Sequence, residues 1–238
     1  MNYLDVSKDL KKHITKNRKE TNERFFKTGK GEYGAHDRFL GILNPDVRKV
    51  AKKYKDCDLV NVQKLITSKY NEERLCALVI LVERFRSKKI NDVTKKQIYN
   101  FYLKNLEHIN NWNLVDLSAP HIAGEYIADN RKELNILDEL AKSNFYWNRR
   151  VCILATWAFT KRGEFDNTLR YAKVFLSNDE DLMHKATGWM LREVWKRDNK
   201  ICEEFLMKNY NELPRVTLRY AIEKMEEQKR KRFLNGKF

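Results

Sequence analysis

The chain has 238 residues, and its 48 Lys and Arg against 33 Asp and Glu give a formal net charge of +15. With only 8 Gly and 3 Pro it lacks the turn residues of an all-β fold with many short strands, so long helices are expected. Its 12 Phe, 11 Tyr and 5 Trp exclude a disordered chain. The positive charge indicates a polyanionic partner, nucleic acid or an anionic membrane surface, unless it is only a compositional bias towards lysine.

The predicted elements begin with a basic amphipathic helix over 2–19, followed by a loop-rich stretch over 20–44 that holds four glycines. Asn44 and Pro45 then resemble a helix start, with Asn as the N-cap and Pro at the first helical position. Helical periodicity continues over 46–55, 59–67, 71–86, 91–107, 112–128, 131–142, 146–161, 165–176, 181–197, 199–209, 214–224 and 226–234.

Helix starts in the chain recur at a near-constant spacing, which is typical of repeat proteins. Each of these starts has one or two polar or basic residues just before an apolar run. The equivalent positions, 30 to 39 residues apart, are Arg74, Asn111, Arg150, Lys185 and Arg215. The spacing predicts a solenoid of HEAT-type helix pairs with a basic stripe along one surface, suited to a nucleic-acid backbone. The alternative is that these side chains are simply solvated.

The cysteine and histidine patterns argue against a structural metal. Four cysteines lie far apart with no CxxC pair, which predicts a reducing cytoplasm and thiols packed as small hydrophobes. They are Cys57, Cys76, Cys152 and Cys202. The five histidines show no HExxH or paired spacing. No apolar signal-peptide core and no run of about 18 apolar residues is found, so nothing is expected to span a membrane. We also expect no membrane partner.

A glycine motif, GKGEYG over 29–34, matches G-x-G-x-x-G, but no predicted strand precedes it. A dinucleotide site requires that motif at a strand-to-helix turn, so we exclude a Rossmann site. We interpret 29–34 instead as a flexible basic loop that can approach phosphates.

Two tryptophan-containing helices are the strongest candidates for a site. Trp112 and Asp116 share one face of a helix that is otherwise apolar, where a carboxylate needs partners or a cleft. Trp189 follows Gly188, which lets another surface come close, and precedes Arg192 by three residues. The alternative is that both tryptophans belong to the core, that Asp116 is a buried cap or ion-pair residue, and that Gly188 is a helix-packing contact.

At these residues the sequence resembles the AlkD family of DNA alkylation repair enzymes, which are HEAT-like-repeat DNA glycosylases. The W-x-x-x-D and K-A-x-G-W-x-L-R-E elements carry the resemblance together. The matching segments span almost the whole chain and cover 25–54, 71–85, 109–127, 147–159, 184–198 and 213–225. The resemblance implies an all-α fold, a right-handed α-solenoid of HEAT-like two-helix repeats with a concave basic face. It implies one domain over 1–238, with an N-terminal helix and basic loop over 1–44 and repeats over 45–238.

The implied activity is hydrolysis of the N-glycosidic bond of cationic N3- and N7-alkylated purines in duplex DNA, through backbone contacts and without base flipping. The implied catalytic residues are Trp112, Asp116 and Trp189, and the implied backbone contact is Arg150. The basic stripe adds further DNA-binding candidates, which are Lys185, Arg149, Arg192, Arg74, Arg215 and Arg219. We expect a monomer with no cofactor, found in the cytoplasm and at the nucleoid when bound to DNA. Asn111 and Asn113 flank Trp112 where the family can have another aromatic residue.

Two other classes of function remain open from the sequence. A non-catalytic DNA-binding scaffold of the same fold would bind duplex DNA without releasing any base. A HEAT-type protein–protein adaptor would present exposed apolar grooves rather than a net charge of +15.

Overall fold

A computed structural model describes residues 2–238, and over this range the protein contains helices but no β-strand. The only extended pairing in the described part is an isolated bridge between Arg38 and Tyr70. The predicted all-α class is therefore confirmed, and the order of helices is consistent with an α-solenoid. Within the same residues no helix is both long and apolar enough to cross a membrane.

The chain divides into two compact units, the first ending at Ile122 and the second covering Ala123–Phe238. Helices of the first unit are α1 (Tyr3–Lys11), α2 (Arg18–Phe25), α3 (Asn44–Lys53), α4 (Leu59–Ile66), α5 (Asn71–Phe85), α6 (Asp92–Lys104) and α7 (Trp112–Ser118). Those of the second are α8 (Glu125–Asp129), α9 (Asn135–Lys142), α10 (Tyr146–Ala155), α11 (Trp157–Thr160), α12 (Asp166–Val174), α13 (Asp181–Trp195), α14 (Asn199–Lys208), α15 (Arg215–Ala221) and α16 (Glu227–Leu234).

The first unit is built around α5, a 15-residue helix that is apolar on every side from Leu75 to Val82. A helix of this composition must be covered all round, and α3, α4 and α7 pack against it. Its N-terminus faces the segment between α2 and α3, because the Glu72 carboxylate accepts backbone hydrogen bonds from Leu40, Gly41 and Ile42 at 2.9, 2.9 and 3.2 Å. The start of α5 therefore organises that segment.

The second unit is built around α13, which packs against α10, α12, α14 and, most extensively, α15. The close approach of α13 and α15 depends on Gly188. A Cβ atom at Gly188 would lie 2.5 Å from the Thr217 carbonyl oxygen and 2.5 Å from Tyr220 Cβ. No side chain fits there without moving the backbone. Gly188 is therefore a helix-packing contact between α13 and α15.

Three local predictions are wrong. The helix predicted over 2–19 ends at Lys11, because Thr15 N–H bonds to the Gly41 carbonyl at 3.0 Å and turns the chain away. A second helix, α2, lies partly inside the stretch predicted as loop. Asn44 is already the first residue of α3, and Leu43 in extended conformation is its N-cap. These differences lie at helix ends, where long-range contacts compete with local propensity.

All four cysteines are buried and free of disulfide bonds, as the sequence predicts. Burial raises the pKa of each of these thiols above its ordinary value, and that of Cys202 reaches about 12. Because the thiolate is the reactive form, these cysteines act as core residues rather than as nucleophiles.

Candidate functional site

The helix α7 carries both Trp112 and Asp116. Its N-cap is Asn111, whose side-chain oxygen accepts from the Trp112 N–H at 2.7 Å, so Trp112 is the first helical residue. Asp116 follows one turn later, and both side chains are half-buried while Leu114 and Val115 are fully buried. Asp116 is therefore not a helix cap, and it shares the partly accessible side of α7 with Trp112.

The indole of Trp112 is held by aromatic rings from the end of α2. Phe26 stacks on it with 5.0 Å between ring centroids and 21° between planes. Phe25 meets it edge-on at 5.8 Å, and Phe39 stacks on the other side of Phe26 at 4.8 Å. Phe26 therefore covers one face of the indole, and Trp112 as a whole is half-buried. The sequence predicts no role for these three phenylalanines, although the Phe25–Phe26 pair begins one of the segments that carry the family resemblance.

A cleft of about 290 Å³ opens beside Trp112 within the first unit. We call it the aromatic cleft. Its lining combines rings with amide and charged groups and consists of Arg18, Thr21, Asn22, Phe25, Phe26, Phe39, Ile42, Asn44, Asn71, Glu72, Leu75, Trp112 and Asn113. Phe25 is 64% exposed and contacts the indole of Trp112. An exposed ring beside an indole suits a flat or sugar-like ligand.

The negative charge of Asp116 acts on its surroundings. Burial raises the pKa of Tyr102 well above its usual range, and the nearby carboxylate of Asp116 raises it further. The Tyr102 hydroxyl is 3.1 Å from Ser118 Oγ, which itself donates to the Leu114 carbonyl at 2.6 Å. Leu114 and Ser118, which lie on either side of Asp116 in the sequence of α7, are both fully buried.

A buried polar cluster that the sequence does not predict joins the starts of α5 and α7. Asp37, fully buried, accepts hydrogen bonds from Asn71 Nδ2 at 3.0 Å and Asn111 Nδ2 at 2.5 Å, and it forms an ion pair with Arg74. Asn113 Nδ2 donates to Asn71 Oδ1 at 2.7 Å. We call these five residues the Asp37 network. Its members are separated by tens of residues, so no local motif signals it.

The second unit holds the remaining predicted catalytic residue, Trp189, half-buried in the middle of α13. On the same helix Lys185 pairs with Asp181 at 2.7 Å, one turn earlier. Arg150 extends from α10 to the first turn of α13, where it donates to the Leu182 carbonyl, and it is 4% exposed. Arg150 thus fixes the start of the helix that bears Trp189 and Lys185.

The other predicted DNA-binding side chains differ in their surroundings. Arg74 is 4% exposed and lies in the Asp37 network. Arg192 forms an ion pair with Glu223, and its side chain is 15% exposed. Arg149 donates to the Ser143 carbonyl at 2.8 Å, and Arg215 donates to the Leu234 carbonyl at 2.9 Å while remaining exposed. Arg219 is exposed on α15. The structure thus leaves Arg219 and Arg215 more open to solvent than Arg74 or Arg192.

No candidate metal site is found among residues 2–238. In this range no three His, Cys, Asp or Glu side chains are placed to hold a metal ion together.

Comparison with known proteins shows the family of the chain. The model of the DNA alkylation repair enzyme family matches residues 6–225. A solved structure described as a predicted DNA alkylation repair enzyme from Enterococcus faecalis is similar in fold, with a TM-score of 0.69 and 16% sequence identity over 90% of this chain and 98% of that one. No curated protein sequence matches the chain. Because the family match covers most of the chain, the chain belongs to the DNA alkylation repair enzyme family.

Proposed function

We propose that this protein is a monofunctional DNA glycosylase that removes cationic N3- and N7-alkylated purines, such as 3-methyladenine and 7-methylguanine, from duplex DNA. The observation that carries the proposal is the pairing on α7 of a half-buried carboxylate, Asp116, with the ring-backed indole of Trp112 one turn away. Membership of the family supports DNA alkylation repair as the process.

The chemistry follows from the substrate. A purine alkylated at N3 or N7 carries a positive charge, so it leaves as a neutral base when the bond between C1′ and the purine nitrogen breaks. Positive charge then develops on the deoxyribose. The Asp116 carboxylate stabilises that charge and orients the water that adds to C1′, whose proton is released to solvent. The products are a neutral base and an abasic sugar in an intact strand.

The tryptophans act on the same developing charge. The π-face of an indole is electron-rich and attracts cations and polarised sugar C–H groups. We assign this role to Trp112 in the first unit and to Trp189 in the second. No lysine nucleophile is needed, which makes the enzyme monofunctional. We also propose that the protein recognises the DNA through its backbone and does not flip the base out of the duplex.

The charge distribution supports DNA as the partner. The first unit has 25 Lys and Arg against 15 Asp and Glu, a net charge of +10, and the second has 23 against 18, a net charge of +5. Both units are therefore attracted to a polyanion. We propose that Arg219, Arg215, Lys185 and Arg149 contact the phosphates, while the buried Arg150 holds the start of the helix that bears Lys185. Arg74 and Arg192 contribute by holding other residues through their ion pairs.

The proposal is tested by incubating the protein with duplexes that contain 7-methylguanine or 3-methyladenine and measuring the released base by chromatography. We expect release from both duplexes, with no strand cleavage until the abasic site is treated with alkali. A protein that binds the duplex in a salt-dependent way but releases no base from any alkylated substrate is the non-catalytic scaffold instead. Weak binding that vanishes at physiological salt favours the adaptor.

Phosphate contact by Arg219 has its own test. Arg219→Ala is expected to lower the slope of log K against log salt concentration by about one unit, because one released counterion is lost with each phosphate contact. Arg170→Ala is the matched control, since Arg170 is an exposed arginine of the same unit that is paired with Asp138 at 2.6 Å. The slopes are measured by fluorescence anisotropy at several salt concentrations. Equal slopes for the two variants would show that Arg219 does not contact the phosphates.

A further inference from the structure

We propose that the Asp37 network positions Trp112 and Asp116 for catalysis, so that Asp37, Asn71, Arg74, Asn111 and Asn113 are positioning residues of the site. This inference rests on the proposed function. It assigns a role in the reaction to five polar residues that hold other residues in place, although two of them, Asn71 and Asn113, also line the aromatic cleft.

The centre of the network is a carboxylate that has no access to water. Asp37 is fully buried, and its two oxygens accept from Asn71, Arg74 and Asn111. These partners belong to α5 and to the N-cap of α7, while Asp37 itself lies in the segment between α2 and α3. A buried charge is tolerated only with partners of this kind, so the three elements must keep their mutual placement for Asp37 to remain satisfied.

The network fixes α7 on both sides of Trp112. Asn111 uses its amide nitrogen to reach Asp37 and its oxygen to accept from the Trp112 N–H. Asn113 forms a reciprocal amide pair with Asn71, with 2.7 Å from Asn113 Nδ2 to Asn71 Oδ1 and 3.4 Å for the return bond. Because successive residues of a helix are about 100° apart, fixing positions 111 and 113 sets the direction of Trp112 and, one turn later, of Asp116.

The segment between α2 and α3, which holds Asp37, also supplies the stacked rings behind the indole of Trp112. Asp37 and Phe39 lie two residues apart, and Phe39 stacks on Phe26, which stacks on Trp112. Glu72, next to Asn71 at the start of α5, binds the backbone N–H groups that follow Phe39. The start of α5 therefore holds both the main chain that bears Trp112 and the ring stack against which its indole rests.

A network that served only stability would affect unfolding and leave the reaction rate alone. A positioning network must change the rate of the chemical step more than it changes DNA affinity or the melting temperature, because a shift of about 1 Å in a catalytic group can cost about 100-fold in rate. The test must therefore measure all three quantities on variants that keep the buried Asp37–Arg74 ion pair, whose loss would endanger folding.

The main variant is Asn113→Ala, which removes the amide pair beside Trp112. Its matched control is Gln63→Ala, because Gln63 forms a reciprocal amide pair with Asn105 in the same unit, at 2.7 and 3.1 Å. A second variant, Asn111→Ser, keeps a side-chain oxygen at the N-cap but loses the amide that reaches Asp37. The full chain is used, with a duplex that contains 7-methylguanine.

We expect the single-turnover rate of base release to fall about 10- to 100-fold in Asn113→Ala and Asn111→Ser, while the Kd for the duplex stays within about twofold. We expect Gln63→Ala to lower the melting temperature to a similar degree as Asn113→Ala and to keep the wild-type rate. Near-ultraviolet circular dichroism should change in Asn113→Ala at the wavelengths that Trp112→Phe identifies as those of Trp112.

Two results would contradict the inference in different ways. If wild type and Gln63→Ala release base and Asn113→Ala matches their rate, the network is structural and the positioning role is wrong. If wild type releases no base, the proposed function is wrong. The near-ultraviolet circular dichroism spectrum then decides whether the network orients Trp112. An unchanged spectrum in Asn113→Ala and Asn111→Ser would show that it does not.

Discussion

Asp116→Asn is expected to reduce the single-turnover rate of 7-methylguanine release by about 100- to 1,000-fold, the usual cost of removing one preorganised electrostatic group from a transition state. The substitution keeps the size and shape of the side chain and removes its negative charge. The fold should persist because Asp116 is half-buried on α7 and is neither its cap nor part of its apolar side. The lost charge is the one that we assign to stabilising the positive sugar.

The affinity for DNA separates this effect from a loss of binding. Removal of a carboxylate near phosphates weakens a repulsion, so the Kd for the duplex should stay the same or fall. Asp46→Asn is the matched control, because Asp46 is a half-buried aspartate of the same unit on α3. It makes the same change in net charge and should leave the rate within about twofold. Equal release of 7-methylguanine by Asp116→Asn and wild type would show that the catalytic assignment is wrong.

Gly188→Val is expected to lower the free energy of unfolding by about 3 kcal/mol, at the upper end of the usual cost of overpacking. The reason is the contact between α13 and α15, where even a Cβ would lie 2.5 Å from the Thr217 carbonyl oxygen. That atom belongs to the backbone and cannot rotate away. Separation of the two helices would also shift Trp189, the next residue, so any folded fraction should release base more slowly.

Urea denaturation followed by circular dichroism at the helix band measures this effect. Gly29→Val serves as the control, because a Cβ there would meet only the flexible Glu32 side chain in an exposed turn. The control should remain within about 1 kcal/mol of wild type, which is typical of a surface substitution without a buried contact. A Gly188→Val protein as stable as the control would mean that α13 and α15 do not approach each other as closely as described.

The helices were predictable where one strong pattern decided them. The interpretations of 71–86 and 181–197 agree with α5 and α13 to within two residues at each end, since long apolar periodicity outweighs other signals there. The helix predicted over 112–128 is interrupted by a π-helical turn over Pro120–Gly124, because Pro120 cannot donate a backbone hydrogen bond. The boundary between α1 and α2 depends on the bond from Thr15 to Gly41, which no local pattern encodes.

The site was predictable only in part, for a similar reason. Trp112 and Asp116 share a helix, so their spacing alone indicates that they lie on one face. The packing of Phe26 on Trp112 joins residues that are 86 positions apart, and the bond from Asn111 to Asp37 joins residues 74 positions apart. Contacts of this range follow from the tertiary fold. Arg74 is buried and Arg219 is exposed, although the sequence alone predicts the same role for both arginines.

The buried carboxylate of Asp37 also bears on how this protein can change over evolutionary time. Loss of Arg74 alone would leave the Asp37 charge inside the first unit without its ion-pair partner, which is strongly unfavourable, and loss of Asn111 would remove a further hydrogen bond to that charge. Loss of Asp37 alone would in turn leave the buried guanidinium of Arg74 without its ion-pair partner. The three residues are therefore expected to be inherited together or replaced together. Descendants that acquire an aromatic residue at position 111 should also have exchanged the aspartate and the arginine for uncharged residues.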